Sequence, residues 1–207
     1  MKSVQEPCPA VQQRAVEVFR GHRGVLRTME AIRLGVHPRT LYAMRENGTV
    51  EQLARGLYRL SALPPLGSPD VVALAKRVPS GVLCLISALS IHGLTTEIPH
   101  EMHVAIPRGA ETPRLEHPPL RVFRFSGAAL SEGIELHEMD GCEVRVYSPA
   151  KTVADCFKFR NKLGVDVAID ALRRFLSVDS ASVDELKRFA QVCRVGNVMR
   201  PYVEALL

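Results

Sequence analysis

Apolar and polar positions alternate with two different periods in this chain, and the changes of period mark its elements. Val11, Ala15 and Val18 recur at helical spacing over 11–20. After Gly24 a short helix is expected, with Thr28 as its cap, Glu30 in the first turn where the helix dipole favours an anion, and Ile32 and Leu34 following. Gly35 stops it, because a glycine enters the left-handed region without a Cβ clash. Pro38 suits the first position of a second helix, where its missing N–H is no loss. There Leu41 and Met44 point inward, turning Arg39, Tyr42, Ala43 and Glu46 outward, and Asn47-Gly48 ends it. The period then drops to two: Val50–Ala54 and Leu57–Leu60 read as strands around Arg55-Gly56. Two short helices joined by a glycine-bearing turn and followed by a hairpin form a winged helix-turn-helix, whose second helix enters the major groove of DNA.

Adjacent prolines in Ser61–Gly67 interrupt the pattern and set the expected boundary between a winged-helix domain, 1–61, and a second domain, 68–207. The second domain opens with Ser68 as a cap, Pro69 at the first helical position, and Val71, Leu74, Ala75 and Val78 at helical spacing. A more buried helix over Leu83–Leu94 ends at His92-Gly93. Met102, Val104 and Ile106 define one strand and Arg121–Phe125 another. Ile134–Glu138 and Glu143–Tyr147 form a hairpin around Asp140-Gly141. A two-residue turn there sets Leu136 opposite Arg145, so a three-residue loop with a bulge, pairing Leu136 with Val146, is expected. The remainder is helical: one helix from Ser148-Pro149 with Ala150, Val153 and Phe157 inward, one capped by Asp166 with Ile169, Leu172 and Leu176 inward, and one opened by the capping box Ser182–Glu185. The class is α+β: a winged helix, then a mixed domain with a small, largely antiparallel sheet and C-terminal helices.

Charge sharpens the picture. The 207 residues carry 27 Lys/Arg and 22 Asp/Glu, a net +5. Residues 1–60 hold ten basic groups against five acidic ones, and the rest is balanced at seventeen of each. The whole surplus therefore lies on the segment with the DNA-binding pattern. Arg39, Thr40, Tyr42 and Ala43 are expected at base edges, and Arg23, Arg27, Arg45, Arg55 and Arg59 at phosphates. Neutralising four phosphates gives a slope of log affinity against log salt near −3.6, by the rule of about −0.9 per phosphate. Five scattered cysteines (Cys8, Cys84, Cys142, Cys156 and Cys193) without a CxxC pair suggest neither a disulfide framework nor a zinc ribbon, and fit a reducing cytoplasm. No apolar run is long enough for a membrane span, and no secretory signal is seen.

Two further blocks, Ser87–Thr95 (SALSIHGLT) and Tyr147–Gly164 (YSPAKTVADCFKFRNKLG), together with Ala54–Leu60 (ARGLYRL), resemble the abortive-infection E-type antitoxins of type IV toxin–antitoxin systems. The resemblance runs in order from Val11 to Leu176. It implies a winged helix, with recognition helix Pro38–Glu46 and wing Val50–Leu60, that binds inverted repeats in its own promoter and represses it. It also implies a second domain that counteracts a cognate nucleotidyltransferase-like toxin, and no enzymatic activity. No toxin-neutralising residue follows from it.

Other chemistry finds weaker support. Lys151 and Asp155 beside Ser148 could activate a nucleophile, but four-residue spacing on a helix is read as a solvated ion pair, as is Asp170 with Arg174. His100, His103, His92 and Cys84 lack the paired spacing of structural zinc, so neither a metal nor a cofactor is expected. His22 and His37 lie in the basic domain, where a solvated surface is the default reading and a phosphate contact the alternative. Glu185-Leu-Lys187 mimics half of a nuclease site but opens a capped helix instead of lying on a strand. The six phenylalanines of the second domain, Phe123, Phe125, Phe157, Phe159, Phe175 and Phe189, read as its core. An alternative reading is a toxin-binding or other protein-interaction module with little specific DNA binding. A ligand-responsive regulator also stays open.

Overall fold

The computed structural model describes residues 9–207, so Cys8 lies outside the described residues. The chain divides into two compact units. The first comprises the chain up to Arg77 with Leu115–His117 and Glu138–Cys142, and the second holds Val78–Arg114, Pro118–His137 and Glu143–Leu207.

In the first unit, α1 (Pro9–Gly21) leads into β1 (Val25–Arg27), α2 (Thr28–Arg33), α3 (Pro38–Glu46), β2 (Val50–Ala54), β3 (Leu57–Leu60) and α4 (Pro69–Arg77). Gly35, with φ +91°, closes α2 as the sequence predicts. The start of α2 differs: Glu30 accepts from the Arg27 N–H at 2.8 Å, while the Thr28 hydroxyl donates to the Gly56 carbonyl at 3.3 Å and caps nothing. The wing is not two-stranded. β1 pairs antiparallel with β3 (Val25 opposite Arg59), giving the order β1-β3-β2 and making β3 the central strand. The second strand pair is antiparallel with a bulge between Gln52 and Ala54. Ala15, Phe19, Leu41, Met44, Val50 and Tyr58 fill the core, whereas Val11 is 45 % exposed. α4 falls with this unit because Val72 and Ala73 share a cluster with Val25, Leu57 and Cys142.

The second unit follows with β4 (Val82–Leu83), α5 (Leu85–Ile91), β5 (Met102–Pro107), β6 (Leu120–Phe125), α6 (Ala128–Ser131), β7 (Ile134–Met139), β8 (Cys142–Tyr147), α7 (Pro149–Lys158), α8 (Arg160–Leu163), α9 (Val165–Leu176), α10 (Val183–Val192) and α11 (Gly196–Leu206). Its sheet has the order β6-β5-β4-β8-β7. The sheet is mixed: β5–β6 and β4–β8 are parallel, and β4–β5 is antiparallel. The expected helix over 83–94 begins as strand β4 and turns helical only at Leu85. The hairpin turn has two residues, Asp140 (φ +50°) and Gly141 (φ +73°), not three. Two left-handed residues match the twist of the flanking strands. The mixed faces that spoke against this turn matter little, because β7 is an edge strand and Leu136 is 61 % exposed.

Around the sheet, Ser148 caps α7 by accepting from the Lys151 N–H, and Ser182 caps α10 by accepting from the Glu185 N–H. Asp166 lies in the first turn of α9, whose cap position is Gly164. The phenylalanines named above all lie in or against the core. Lys151 and Asp155 correct the sequence reading outright. Both are fully buried, with Nζ and Oδ2 2.5 Å apart. The reason is that α7 packs against α5, α9, α10 and α11 and retains almost no solvent face. The Cys193 thiol donates to Asp155 Oδ1 at 3.1 Å, and Lys151 Nζ sits 4.0 Å from the Tyr147 ring centroid. Burial pushes the Asp155 carboxyl up, and the Lys151 ammonium offsets part of that rise. Asp170 and Arg174, 2.7 Å apart and part-exposed, are the surface pair the spacing predicts. Among the described residues, no helix is long and apolar enough to cross a membrane.

Candidate nucleic-acid interface

α3 is fixed at both ends by its own sequence. His37 caps it, with Nδ1 accepting from the Arg39 N–H at 3.2 Å, and Pro38 follows at the first helical position. His37 thus has a structural role while its ring stays exposed to solvent. At the other end Asn47 folds back on Thr49, its Oδ1 accepting from the Thr49 N–H at 3.1 Å, and its amide donates to Gln12 of α1 at 3.3 Å.

The exposed face of α3 carries Arg39, Tyr42, Arg45 and Glu46. Arg45 lies over the Tyr42 ring, its guanidinium carbon 5.6 Å from the centroid. Tyr42 keeps 44 % of its surface exposed. Thr40 and Ala43, expected at base edges, instead face inward at 4 % and 9 % exposure. A nine-residue helix packed on both α1 and β2 must bury a face wide enough to take positions 40, 41, 43 and 44 together.

The arginines divide in the same way. Arg55 stands at the wing tip, 81 % exposed, with a 3.3 Å contact to the equally open Glu116. Gly56 (φ +71°) makes the turn, and its carbonyl accepts from the Thr28 N–H at 2.9 Å, which anchors the wing to the start of α2. Arg45 is exposed and Arg27 is half-buried. Arg59, expected at a phosphate, is only 4 % exposed; it pairs with Glu51 at 2.6 Å and donates to the Pro64 carbonyl. Its strand is central, so the outward path that an outer wing strand would give is closed. Arg23 (φ +59°) is exposed but engaged, 3.0 Å from Glu138 and donating to the Gly141 carbonyl at 2.8 Å. Arg33, in the last turn of α2, is an exposed cation that the sequence reading passed over. Its signal was its place on the first helix of the pair, which crosses the DNA backbone in this motif.

The histidines and cysteine considered for a metal are not brought together: His103 is buried, His100 is exposed, and Cys84 is a buried thiol. Glu185 and Lys187 lie on α10, where Lys187 approaches Asp184 at 3.8 Å, which is not a nuclease geometry.

No curated protein matches the chain. Among solved structures, the RV2827C protein from Mycobacterium tuberculosis is similar in fold, with a TM-score of 0.58 at 14 % identity, covering 91 % of this chain and 73 % of that one. Residues 13–61, from the first turns of α1 to the residue after β3, match the family model for transcriptional regulators of the AbiEi antitoxin type.

Proposed function

We propose that the chain is a DNA-binding transcriptional autorepressor of the antitoxin type, acting in the cytoplasm on inverted repeats of its own promoter and neutralising a cognate nucleotidyltransferase-like toxin, and that it is not an enzyme. The observation that carries the reading is the outer face of α3. A short helix whose inner face is fully committed to the winged-helix core presents Arg39, Tyr42 and Arg45 to solvent, next to a cationic wing tip. In this reading Arg39 and Tyr42 meet base edges, Arg39 with the fork geometry that reads guanine. In the same reading Arg27, Arg33, Arg45 and Arg55 contact phosphates, and Arg55 exchanges a weak, open ion pair for one.

A promoter–reporter fusion of the upstream DNA tests it. Expression of the chain lowers reporter output and Arg39→Ala restores it, while co-expression rescues cells from a neighbouring nucleotidyltransferase-like toxin. Unchanged reporter output with intact rescue would leave a toxin-binding module, and neither effect would remove both parts of the reading.

A further inference from the structure

In the second unit three ligand-type side chains meet. Glu135 and His137 lie two residues apart on β7, so the pleat directs both to one face of the sheet. His92 is the residue that closes α5. One ligand atom from each lies within 4.8 Å of the other two. His137 Nε2 is 3.2 Å from Glu135 Oε2, and the His92 and His137 rings meet edge to face with centroids 5.5 Å apart. A solvated His–Glu pair on an edge strand would account for His137 and Glu135 alone. It does not account for the third ligand.

The His92 ring is the informative one. Its Nε2 lies 2.8 Å from the Tyr147 carbonyl oxygen. A carbonyl only accepts, so Nε2 carries the proton and donates. In the neutral ring the lone pair is then on Nδ1. A metal-bound imidazole is held in the same way, its second nitrogen donating to a carbonyl that fixes both tautomer and orientation. Burial lowers the pKa of this ring and favours the neutral form that ligation needs.

We propose that His92, Glu135 and His137 bind one Zn²⁺ ion, His92 through Nδ1, Glu135 through a carboxylate oxygen and His137 through a ring nitrogen. Two imidazoles and one carboxylate suit zinc, whereas magnesium and calcium require oxygen shells. With ligands about 2.0–2.2 Å from the ion, donor atoms in a tetrahedral site stand roughly 3.3 Å apart. Small rotations of His137 and Glu135, whose side chains are 32 % and 45 % exposed, bring the three to that spacing. Three protein ligands leave a fourth position for water, and the ion ties edge strand β7 to the end of α5.

The test is isothermal titration of Zn²⁺ into the full chain after chelator treatment, with Co²⁺ absorption as the report on ligand type. One ion binds per chain, and the affinity falls at least tenfold in His137→Gln and in Glu135→Gln but is unchanged in His100→Gln. Co²⁺ gives visible d–d bands with no thiolate charge-transfer band. Thermal unfolding of the metal-free proteins keeps the variants comparable, and Zn²⁺ raises the midpoint of the wild type and of His100→Gln by more than that of the two ligand variants. Absence of saturable binding, unchanged affinity in both variants, or a thiolate band from the cysteines would overturn the proposal.

Discussion

Arg55 and Arg59 are four residues apart on one hairpin, yet their surroundings assign them opposite roles. Arg55 is open at the tip, and Arg59 is held by Glu51 and the Pro64 carbonyl beneath the surface. Arg55→Ala is expected to weaken specific and random duplexes alike, to reduce the salt slope by about one, and to leave the unfolding midpoint in place. Arg59→Ala is expected to lower stability by about 1–3 kcal/mol, because the Pro64 carbonyl loses its donor while the half-exposed Glu51 is left to solvent, before any effect on DNA is seen. Arg39→Ala is expected to reduce discrimination at one base pair by about 1–3 kcal/mol, measured as the ratio of affinities for matched and mismatched operators. Equal losses on matched and random DNA for Arg39→Ala would contradict its assignment. His103 gives a pH prediction at the same scale. The ring is buried against Phe123, with Glu101 3.6 Å away and Arg121 close by, and its Nδ1 has no partner among the described residues. Burial, seconded by Arg121 and opposed by Glu101, lowers its pKa from 6.5 to about 4. The unfolded chain thus binds the proton more readily, and the stability this ring contributes is present above pH 6.5 and lost as pH falls toward 4. Urea unfolding of His103→Gln against wild type should show a shallower loss across that window; parallel pH profiles would contradict it.

Helix α7 shows what an element's neighbours do to a pattern. The i, i+4 spacing of Lys151 and Asp155 is the same as that of Asp170 and Arg174, yet one pair is fully buried and the other part-exposed. Lys151→Met alone leaves the Asp155 carboxyl buried without its cation and should destabilise by about 3–5 kcal/mol in urea unfolding. Lys151→Met with Asp155→Leu should recover most of that, since a well-packed apolar pair often equals or exceeds a buried ion pair. A double variant no better than the single would mean that Cys193 and Tyr147 depend on the charges. The elements legible in the sequence were those with local punctuation. Gly35, Pro38, Asn47-Gly48 and Ser148-Pro149 bound their helices as read, because caps and turn residues act within a few positions. The missed elements needed distant partners. β1 and β4 are three and two residues long and become strands only by pairing with β3 and β5.

For the whole molecule, the winged helix and the α+β class were readable, whereas strand order and the choice of exposed arginines were not. Parallel pairing of β5 with β6 and of β4 with β8 carries no local mark. Arg59 and the pair Thr40 and Ala43 were misplaced for one reason: the third strand and α1 enlarge the buried face of the domain beyond what a two-helix pattern implies. With Arg59 buried and Arg23 engaged, Arg27, Arg45 and Arg55 remain of the original phosphate set. At about −0.9 per phosphate these three give a salt slope near −2.7 per protomer, and Arg33 would bring it to about −3.6. The most direct measurement is fluorescence anisotropy of the full chain on the duplex upstream of its own gene, against a scrambled duplex, across a salt series. The account predicts tight binding to the native duplex, a strong preference over the scrambled one, and a slope between those two values. Weak and equal binding to both duplexes would contradict it.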